Sequence, residues 1–304
     1  MGSMSTAAPS PSRRGFLSIA AAWAALAPVY GLAGCRDREG KGLLQAVRKT
    51  LEEAVPAAGV RLPFSFGAAI KHLVSAGAID PARLLAFYGK HRQPAGWFAN
   101  LLEAPSSRDI RFSRATAPHL LDLLWPLGLS NKAAFNDHSP LQGRYLRSYA
   151  STGGWTLGRA GNGSAYFNQV DALPLTPPQQ AVALEVGRST FRPCCNNSTF
   201  FQDCNHGSAL LGLIELAAFH GFSAAEIYRF ALTANAYWFP AQYLLAAVYF
   251  LVFEGRSWEE IPPELILGRR FSTLRGWEKN VGVPLRSANL WPRSGGPGGS
   301  RCGI

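Results

Sequence analysis

The chain has 304 residues, of which 47% are hydrophobic and 12% aromatic. That length and apolar content are enough to bury a substantial core, and they exclude a chain that is disordered throughout. The formal net charge is +11, but the basic residues are scattered singly or in pairs such as Arg13-Arg14, without a run of five like charges. We therefore predict a basic, solvated surface and no specific nucleic-acid partner.

The first motif in the chain lies close to the N-terminus. Residues 12–17 read S-R-R-G-F-L, and a short apolar run after them ends in L-A-G-C at residues 32–35. A basic start, an apolar stretch and small residues before a cleavage point are typical of a signal peptide. The two arginines before F-L resemble the twin-arginine export signal, and L-A-G-C resembles the bacterial lipobox.

This resemblance implies an exported, lipid-anchored protein of a bacterial cell envelope. Residues 1–34 would be the signal peptide, Cys35 would carry the lipid, and residues 35–42 would form a charged tether. The expected partners are the membrane, through the N-terminal lipid, and the twin-arginine export machinery. By the same resemblance, that machinery moves folded chains that often carry a cofactor, which favours a metal or redox centre.

Helical spacing of apolar residues begins at Leu43 and continues to about Ala57. Start signals are also present: Asp80 precedes Pro81, and Ser223 precedes Glu226 in a capping-box pattern. These patterns predict further helices at residues 67–76, 81–91, 118–127, 208–220, 224–236 and 240–253.

The predicted helix at 240–253 is apolar nearly all round, which indicates either a buried central helix or a membrane span. Pro240 and Gln242 shorten its fully apolar run below the usual spanning length, so we favour the buried helix.

The stretch from residue 131 to 175 is rich in Gly, Asn, Ser and Tyr and shows little helical periodicity. Such turns fit a loop-built ligand surface with one or two short hairpins, or an ordinary surface insertion. The fold class is therefore predicted as mainly α, with a single helical domain at 43–283 interrupted by an irregular Gly- and aromatic-rich insertion. Residues 284–304 have little apolar content and are predicted to be a disordered tail.

The loop at residues 191–207 concentrates the residues with distinctive chemistry, because it contains Cys194, Cys195, Cys204 and His206. Three thiolates and an imidazole form a ligand set for Zn, Cu or an iron–sulfur cluster. We expect Cys204 and His206 to turn toward one point at the start of the next helix, with Asp203 orienting the imidazole. The spacing C-C-x8-C-x-H matches none of the usual zinc-finger patterns.

Two other interpretations of the same loop remain open. In an oxidising compartment, Cys204 could form a disulfide with Cys194 or Cys195 and stabilise the loop. Alternatively, Cys204 lies where papain-like and cell-wall hydrolases have their nucleophile, with His138 from the N-D-H-S segment as the base. The candidate catalytic residues are then Cys204, His138 and Asp203.

Taken together, the motifs favour an envelope lipoprotein that binds a metal ion or cluster through Cys194, Cys195, Cys204 and His206. Such a protein would be a metal-dependent or redox enzyme or a redox-partner protein, and a redox partner protein would be a further expected partner. The first alternative is a disulfide-stapled binding or assembly protein that contacts its ligand through the 131–175 insertion. The second is a cysteine-nucleophile hydrolase.

Overall fold

The computed structural model describes residues 37–91 and 96–291, and these are mainly helical, which confirms the predicted fold class. In chain order the elements are α1 (Asp37–Ala54), β1 (Val60–Arg61), α2 (Ala69–Ser75), α3 (Pro81–His91), α4 (Gly96–Glu103), β2 (Arg111–Phe112), α5 (Ala117–Ser130), α6 (Ala150–Gly153), α7 (Pro177–Ser189), α8 (Asn205–Phe219), α9 (Ala224–Trp238), α10 (Pro240–Phe253), α11 (Pro263–Leu267), α12 (Arg269–Ser272), α13 (Leu274–Trp277) and α14 (Val283–Ser287). Short 3₁₀ helices lie at Ala134–His138, Leu146–Ser148, Gly163–Ala165, Thr199–Phe201 and Trp258–Glu260, and a π-helical turn spans Glu278–Gly282.

The predicted helix start signals are confirmed by their hydrogen bonds. Asp80 Oδ1 accepts from the backbone N–H of Ala82 at 2.9 Å and of Arg83 at 3.2 Å. At the start of α9, Glu226 accepts from the Ser223 backbone N–H at 2.9 Å, and the Ser223 hydroxyl accepts from the Glu226 N–H at 3.4 Å. These contacts satisfy N–H groups that have no partner inside the helix.

The centre of the fold is the crossing of α5 and α8, which is the most extensive helix contact in the described chain. The two helices touch through backbone at Gly128 and Gly212. A Cβ on Gly128 would lie 2.0 Å from the Ser208 carbonyl oxygen, and one on Gly212 would lie 2.4 Å from the Leu124 carbonyl oxygen. Only glycine allows this approach, and it holds the first turns of α8 deep in the molecule.

The α10 helix is buried along most of its length, as predicted, and packs against α1. Within the described residues, no individual helix has the length and apolar character needed to cross a membrane. Helices α9 and α10 are long and apolar enough only when they are taken together, and their axes differ in direction by 115°.

The insertion at 131–175 is irregular, as predicted, and is built from turns, 3₁₀ segments and α6. Asparagine side chains satisfy its backbone: Asn131 Oδ1 accepts from the Leu173 N–H, and Asn168 Oδ1 accepts from the Ala133 N–H, both at 2.8 Å. The short antiparallel strand pair lies elsewhere, between β1 and β2, with Val60 opposite Phe112.

The structure differs from the predicted boundaries at both ends. The α1 helix begins at Asp37, so residues 37–42 of the predicted tether are helical and continuous with the predicted helix at 43–57. At the other end, Leu285 is fully buried and Leu290 is 8% exposed, so residues 284–291 are not a disordered tail. The predicted signal peptide, Cys35 and residues 292–304 lie outside the described residues.

Helical periodicity does not reveal α7, because its buried stripe consists only of Ala183, Val186 and Gly187. Its start is nevertheless marked locally: Gln179 Oε1 accepts from the Thr176 backbone N–H at 2.9 Å. Helix α7 leads directly into the cysteine loop.

Candidate metal centre

The cysteine loop connects α7 to α8, and its two ends are joined by hydrogen bonds. The Thr199 N–H donates to the Thr190 carbonyl at 2.9 Å, and the two threonine hydroxyls are also 2.9 Å apart. Gln202 then turns the chain into α8 with a left-handed backbone, φ +55°. The closed base and this turn bring Cys194 and Cys195 back toward Cys204.

The sulfurs of Cys194, Cys195 and Cys204 lie within 4.8 Å of one another, close enough to bind a metal ion. Cys204 is buried, whereas Cys194 and Cys195 are half-buried. The sulfurs of Cys194 and Cys204 are 3.7 Å apart. Zn–S bonds of about 2.3 Å in a tetrahedral site require sulfurs about 3.8 Å apart, so the spacing fits such an ion without a large movement of the loop.

Cys204 occupies the N-cap position of α8, where its sulfur receives two N–H groups. The Gly207 backbone N–H lies 3.4 Å from Sγ, and Arg192 Nε lies 3.3 Å from it. The N-terminus of a helix favours negative charge, and N–H donors stabilise a thiolate. Cys204 is therefore the sulfur of the group that is best placed to carry a negative charge.

Arg192 is fully buried beside this sulfur, and each guanidinium nitrogen has an acceptor. Nη1 donates to the Asn197 carbonyl at 2.8 Å, and Nη2 donates to Asp203 Oδ1. Burial by itself lowers the pKa of Arg192, but electrostatic interactions with the neighbouring Cys204, Cys195, Cys194 and Asp203 side chains together raise it above its ordinary value. The guanidinium is therefore a permanent positive charge inside the site.

Cys195 is the cysteine whose sulfur lies near the Asp203 carboxylate. Its sulfur is 3.8 Å from Asp203 Oδ1 and 4.0 Å from the Asn197 carbonyl oxygen. A contact from Cys194 lowers the pKa of the Cys195 thiol, but the Cys204 thiol and burial raise it by more, to about 12. Cys195 is therefore a neutral thiol at neutral pH, in contrast to the environment that favours charge on Cys204.

His206 does not join this group of sulfurs, although the sequence predicts it as a ligand. Among the described residues, the ligand atoms that meet the 4.8 Å distance are those of the three cysteines. The His206 ring instead lies 4.5 Å from the Phe239 ring, and its buried Nδ1 has no hydrogen-bond partner within the described chain. Burial lowers the pKa of His206 to about 4. Cys204 has extended backbone at the N-cap, whereas His206 lies inside α8 with its ring against Phe239.

Asp203 also has a different contact from the predicted one. Its carboxylate pairs with Arg192 and accepts a hydrogen bond from Asn197 Nδ2 at 2.7 Å. Asp203 therefore stabilises the cysteine loop and does not orient His206. His138 is exposed at the end of its 3₁₀ helix, whereas Cys204 is 4% exposed. The contacts of Cys204 described above are to Arg192, Cys194 and Gly207, so its pairing with His138 stays a prediction.

The disulfide interpretation also stays a prediction. The 3.7 Å between the sulfurs of Cys194 and Cys204 is a contact between two thiols, since a disulfide bond measures about 2.05 Å. Both partners considered from the sequence have their sulfurs near that of Cys204, since all three sulfurs lie within 4.8 Å of one another.

Arg192 and Gly207 are the residues of the site that sequence reasoning missed. A Cβ on Gly207 would lie 2.6 Å from Nη2 of Arg192 and 2.8 Å from its Cζ, so this glycine leaves the space that the guanidinium fills. A glycine in the first turn of a long helix and an arginine directly before P-C-C were the available signals.

The fold and the site together define a mainly helical protein that gathers three cysteine sulfurs at the N-terminus of a buried helix. Comparisons with protein-family models, with curated proteins and with solved structures find no match. A function for this chain must therefore be argued from the chemistry of the site.

Proposed function

We propose that this protein is a lipid-anchored protein of the bacterial cell envelope that binds one thiophilic metal ion through Cys194, Cys195 and Cys204. The observation that carries the proposal is the mutual approach of the three sulfurs to within 4.8 Å. Soft thiolate ligands select Zn(II) or Cu(I) over the hard cations that prefer oxygen.

A single ion suits this ligand set better than an iron–sulfur cluster. The common clusters take four protein ligands, whereas three sulfurs are gathered here among the described residues. Three protein ligands leave one coordination position for water, a small thiol or a ligand from another protein. Such a position is typical of ions that react or are passed on, in accord with the metal-dependent or redox role predicted from the sequence.

The surroundings offset the negative charge that three thiolates would bring into the protein. Arg192 contributes a buried positive charge next to Cys204, and the N-terminus of α8 contributes the positive end of the helix dipole. Without such groups, burying several like charges would be strongly unfavourable. The guanidinium of Arg192 and the N-terminus of α8 therefore favour cysteines that bind a metal ion as thiolates over cysteines that stay protonated.

Metal analysis of single-cysteine variants tests the proposal. The mature chain, purified reduced and without oxygen, is loaded with Zn(II) or Cu(I), and bound metal per chain is measured after removal of excess ion. We expect one ion per chain in the wild type and in the control Cys302→Ser, and at least tenfold weaker binding in Cys204→Ser and Cys194→Ser. Equal metal binding in all four proteins would overturn the proposed site.

The disulfide staple is the second candidate, favoured by the contact between the sulfurs of Cys194 and Cys204. A bridge across this short loop would stabilise the fold by about 2–4 kcal/mol. Peptide mapping of protein recovered from its native compartment separates the two candidates. A Cys194–Cys204 crosslink without bound metal would replace the metal proposal, whereas reduced cysteines with bound metal would exclude the staple.

A further inference from the structure

Three exposed arginines and one exposed leucine form a surface beside the cysteine loop. Arg269 and Arg270 begin α12, and Leu274 and Arg275 begin α13; Leu274 is 50% exposed. We call these four residues the arginine surface. Arginine is enriched at protein-binding surfaces, and the exposed leucine adds apolar area that a partner can bury.

The arginine surface is attached directly to the cysteine loop. The Leu274 N–H donates to the Cys195 carbonyl at 2.8 Å, and the Arg275 N–H donates to Asn196 Oδ1 at 3.0 Å. The Arg269 guanidinium lies over the Phe191 ring, 4.8 Å from its centre. The backbone of Leu274 and Arg275 therefore lies against the Cys195–Asn196 segment, and Arg269 contacts the first residue of the loop.

Within the described residues, the arginines of this surface form no salt bridge with a carboxylate. Two acidic side chains of the region are already engaged, since Asp203 pairs with Arg192 and Glu278 pairs with Arg286. An anionic partner that approaches the cysteines would therefore meet an attractive field.

We propose that the arginine surface docks an acidic partner protein that exchanges the metal ion with the three cysteines. This inference rests on the proposed metal site. In the exchange, Cys194, Cys195 and Cys204 lose their protons to solvent as the ion binds, and the ligands that the ion leaves take up protons. Charge complementarity around a small contact is suited to a transient encounter, because it speeds association more than it increases affinity.

A protein partner accounts for the position of the surface better than an anionic bilayer does. The arginine surface adjoins the loop that carries the thiols, and a phospholipid headgroup brings neither a metal ion nor a metal ligand to that loop. A partner protein can place its own metal-binding residues opposite Cys194 and Cys195 while its carboxylates contact the arginines.

The test uses a reaction that needs no metal, so it is independent of the metal-binding experiment. Two peptides carry one cysteine as a mixed disulfide with thionitrobenzoate, flanked by four glutamates in one and four glutamines in the other. A protein thiolate attacks the peptide sulfur, the disulfide bond breaks, and thionitrobenzoate leaves with the electron pair and is measured by its colour. The reduced mature chain is tested at low salt and at 1 M salt.

We expect the glutamate peptide to react about tenfold faster at low salt, and the difference to disappear at 1 M salt. The triple variant R269E/R270E/R275E should reverse the preference. The control variant R48E/K71E/R108E changes the same number of charges at exposed positions elsewhere and should keep it. If the triple variant does not fold, Arg275→Gln alone should reduce the preference.

Equal rates for the two peptides at low salt, or loss of the preference in the control variant, would overturn the docking surface even if metal binds as proposed. Conversely, a chain that binds no metal would refute the metal site and, with it, the exchange of metal. If that chain still preferred the glutamate peptide, the arginine surface would remain a docking surface for acidic proteins beside reactive thiols. Anionic phosphatidylglycerol vesicles provide the last comparison. Vesicle binding that depends on the three arginines, combined with equal peptide rates, would identify a lipid surface instead and overturn the proposal.

Discussion

Arg192 reaches the cysteines through space that Gly207 leaves in the first turn of α8. The guanidinium is held on several sides, by the Cys204 sulfur, the Asn197 carbonyl and the Asp203 carboxylate. It cannot move away from a new methyl group without giving up one of these buried hydrogen bonds. A single missing Cβ therefore decides the geometry around Cys204.

We predict that Gly207→Ala destabilises the chain by about 1–3 kcal/mol, the usual effect of adding a methyl group to a full interior. The added Cβ would come within 2.6 Å of Arg192 Nη2. The control is Gly89→Ala in α3, where the added Cβ would meet nothing within 4 Å and the higher helix propensity of alanine should stabilise by up to about 1 kcal/mol. Urea unfolding of the two variants measures both effects, and equal stability would contradict the tight fit.

At the scale of elements, the crossing of α5 and α8 combines close backbone contact with a buried carboxyl group. Glu215 lies on α8 one turn beyond Gly212 and is fully buried, beside Asn131 at the end of α5. The Asn131 side chain is close enough to act on the carboxyl group, although no hydrogen bond of standard geometry reaches either carboxyl oxygen or Asn131 Nδ2 within the described residues. Burial raises the pKa of Glu215 well above its ordinary value, and the Asn131 side chain lowers it by less. In the folded protein the carboxyl group therefore keeps its proton to a higher pH than an exposed glutamate does.

We predict that Glu215 makes the folded protein less stable as the pH rises. In the unfolded chain a glutamate loses its proton near pH 4.3, whereas folded Glu215 keeps it to a higher pH. The contribution of Glu215 to the free energy of unfolding is therefore largest below pH 4.3. It declines as the pH rises toward the folded pKa, by at most about 1.4 kcal/mol per pH unit.

The variant Glu215→Gln removes the ionisation with little change of shape. It should be as stable as the wild type near pH 4 and more stable at pH 8, as measured by urea unfolding at both values. Glu264→Gln, at an exposed position, is the control for loss of one charge. A wild-type profile that declines no more steeply than that of Glu215→Gln would rule out this role of Glu215.

The close approach of the two helices gives a separate prediction. Gly128→Ala would place Cβ 2.0 Å from the Ser208 carbonyl oxygen and 2.4 Å from the Gly212 nitrogen. Because both are backbone atoms, the helices must separate, and we expect a loss of about 3 kcal/mol or more. Gly42→Ala in α1 has no atom within 4 Å of the new Cβ and is the matched control. Thermal unfolding measures both, and a shift no larger for Gly128→Ala would contradict the backbone contact.

At the scale of the whole molecule, the C-terminal segment closes the core. Leu285 on α14 is fully buried, Leu290 is 8% exposed, and Trp291 lies against Trp277 with ring centres 6.3 Å apart. These residues belong to the same hydrophobic core as the central helices. The low apolar content of the surrounding sequence hides this contribution, because two leucines and a tryptophan are enough to anchor so short a segment.

We predict that a chain ending at Val283 is less stable than one ending at Trp291. Removing two buried leucines costs about 3–6 kcal/mol, from about 1.5–3 kcal/mol for each. The comparison of the two truncated chains by urea unfolding isolates residues 284–291. Equal stability would show that α14 adds nothing to the core.

The sequence by itself determined the mainly α fold class, the position of most long helices and the concentration of cysteines in one loop. Helix periodicity and capping are local properties, so Ser223 with Glu226 and the apolar run of α10 could be identified without a structure. The short elements after residue 262 and the strand pair β1–β2 could not, because contacts with distant parts of the chain stabilise them.

Only the tertiary structure decided which atoms form the site. It brought Cys194 and Cys195 to Cys204 and placed the His206 ring against Phe239. It also placed Arg192 in the interior, which no local pattern predicts, because a buried charge depends on acceptors supplied by the whole folded loop. Spacing in a sequence limits which side chains can meet, but packing decides which of them do.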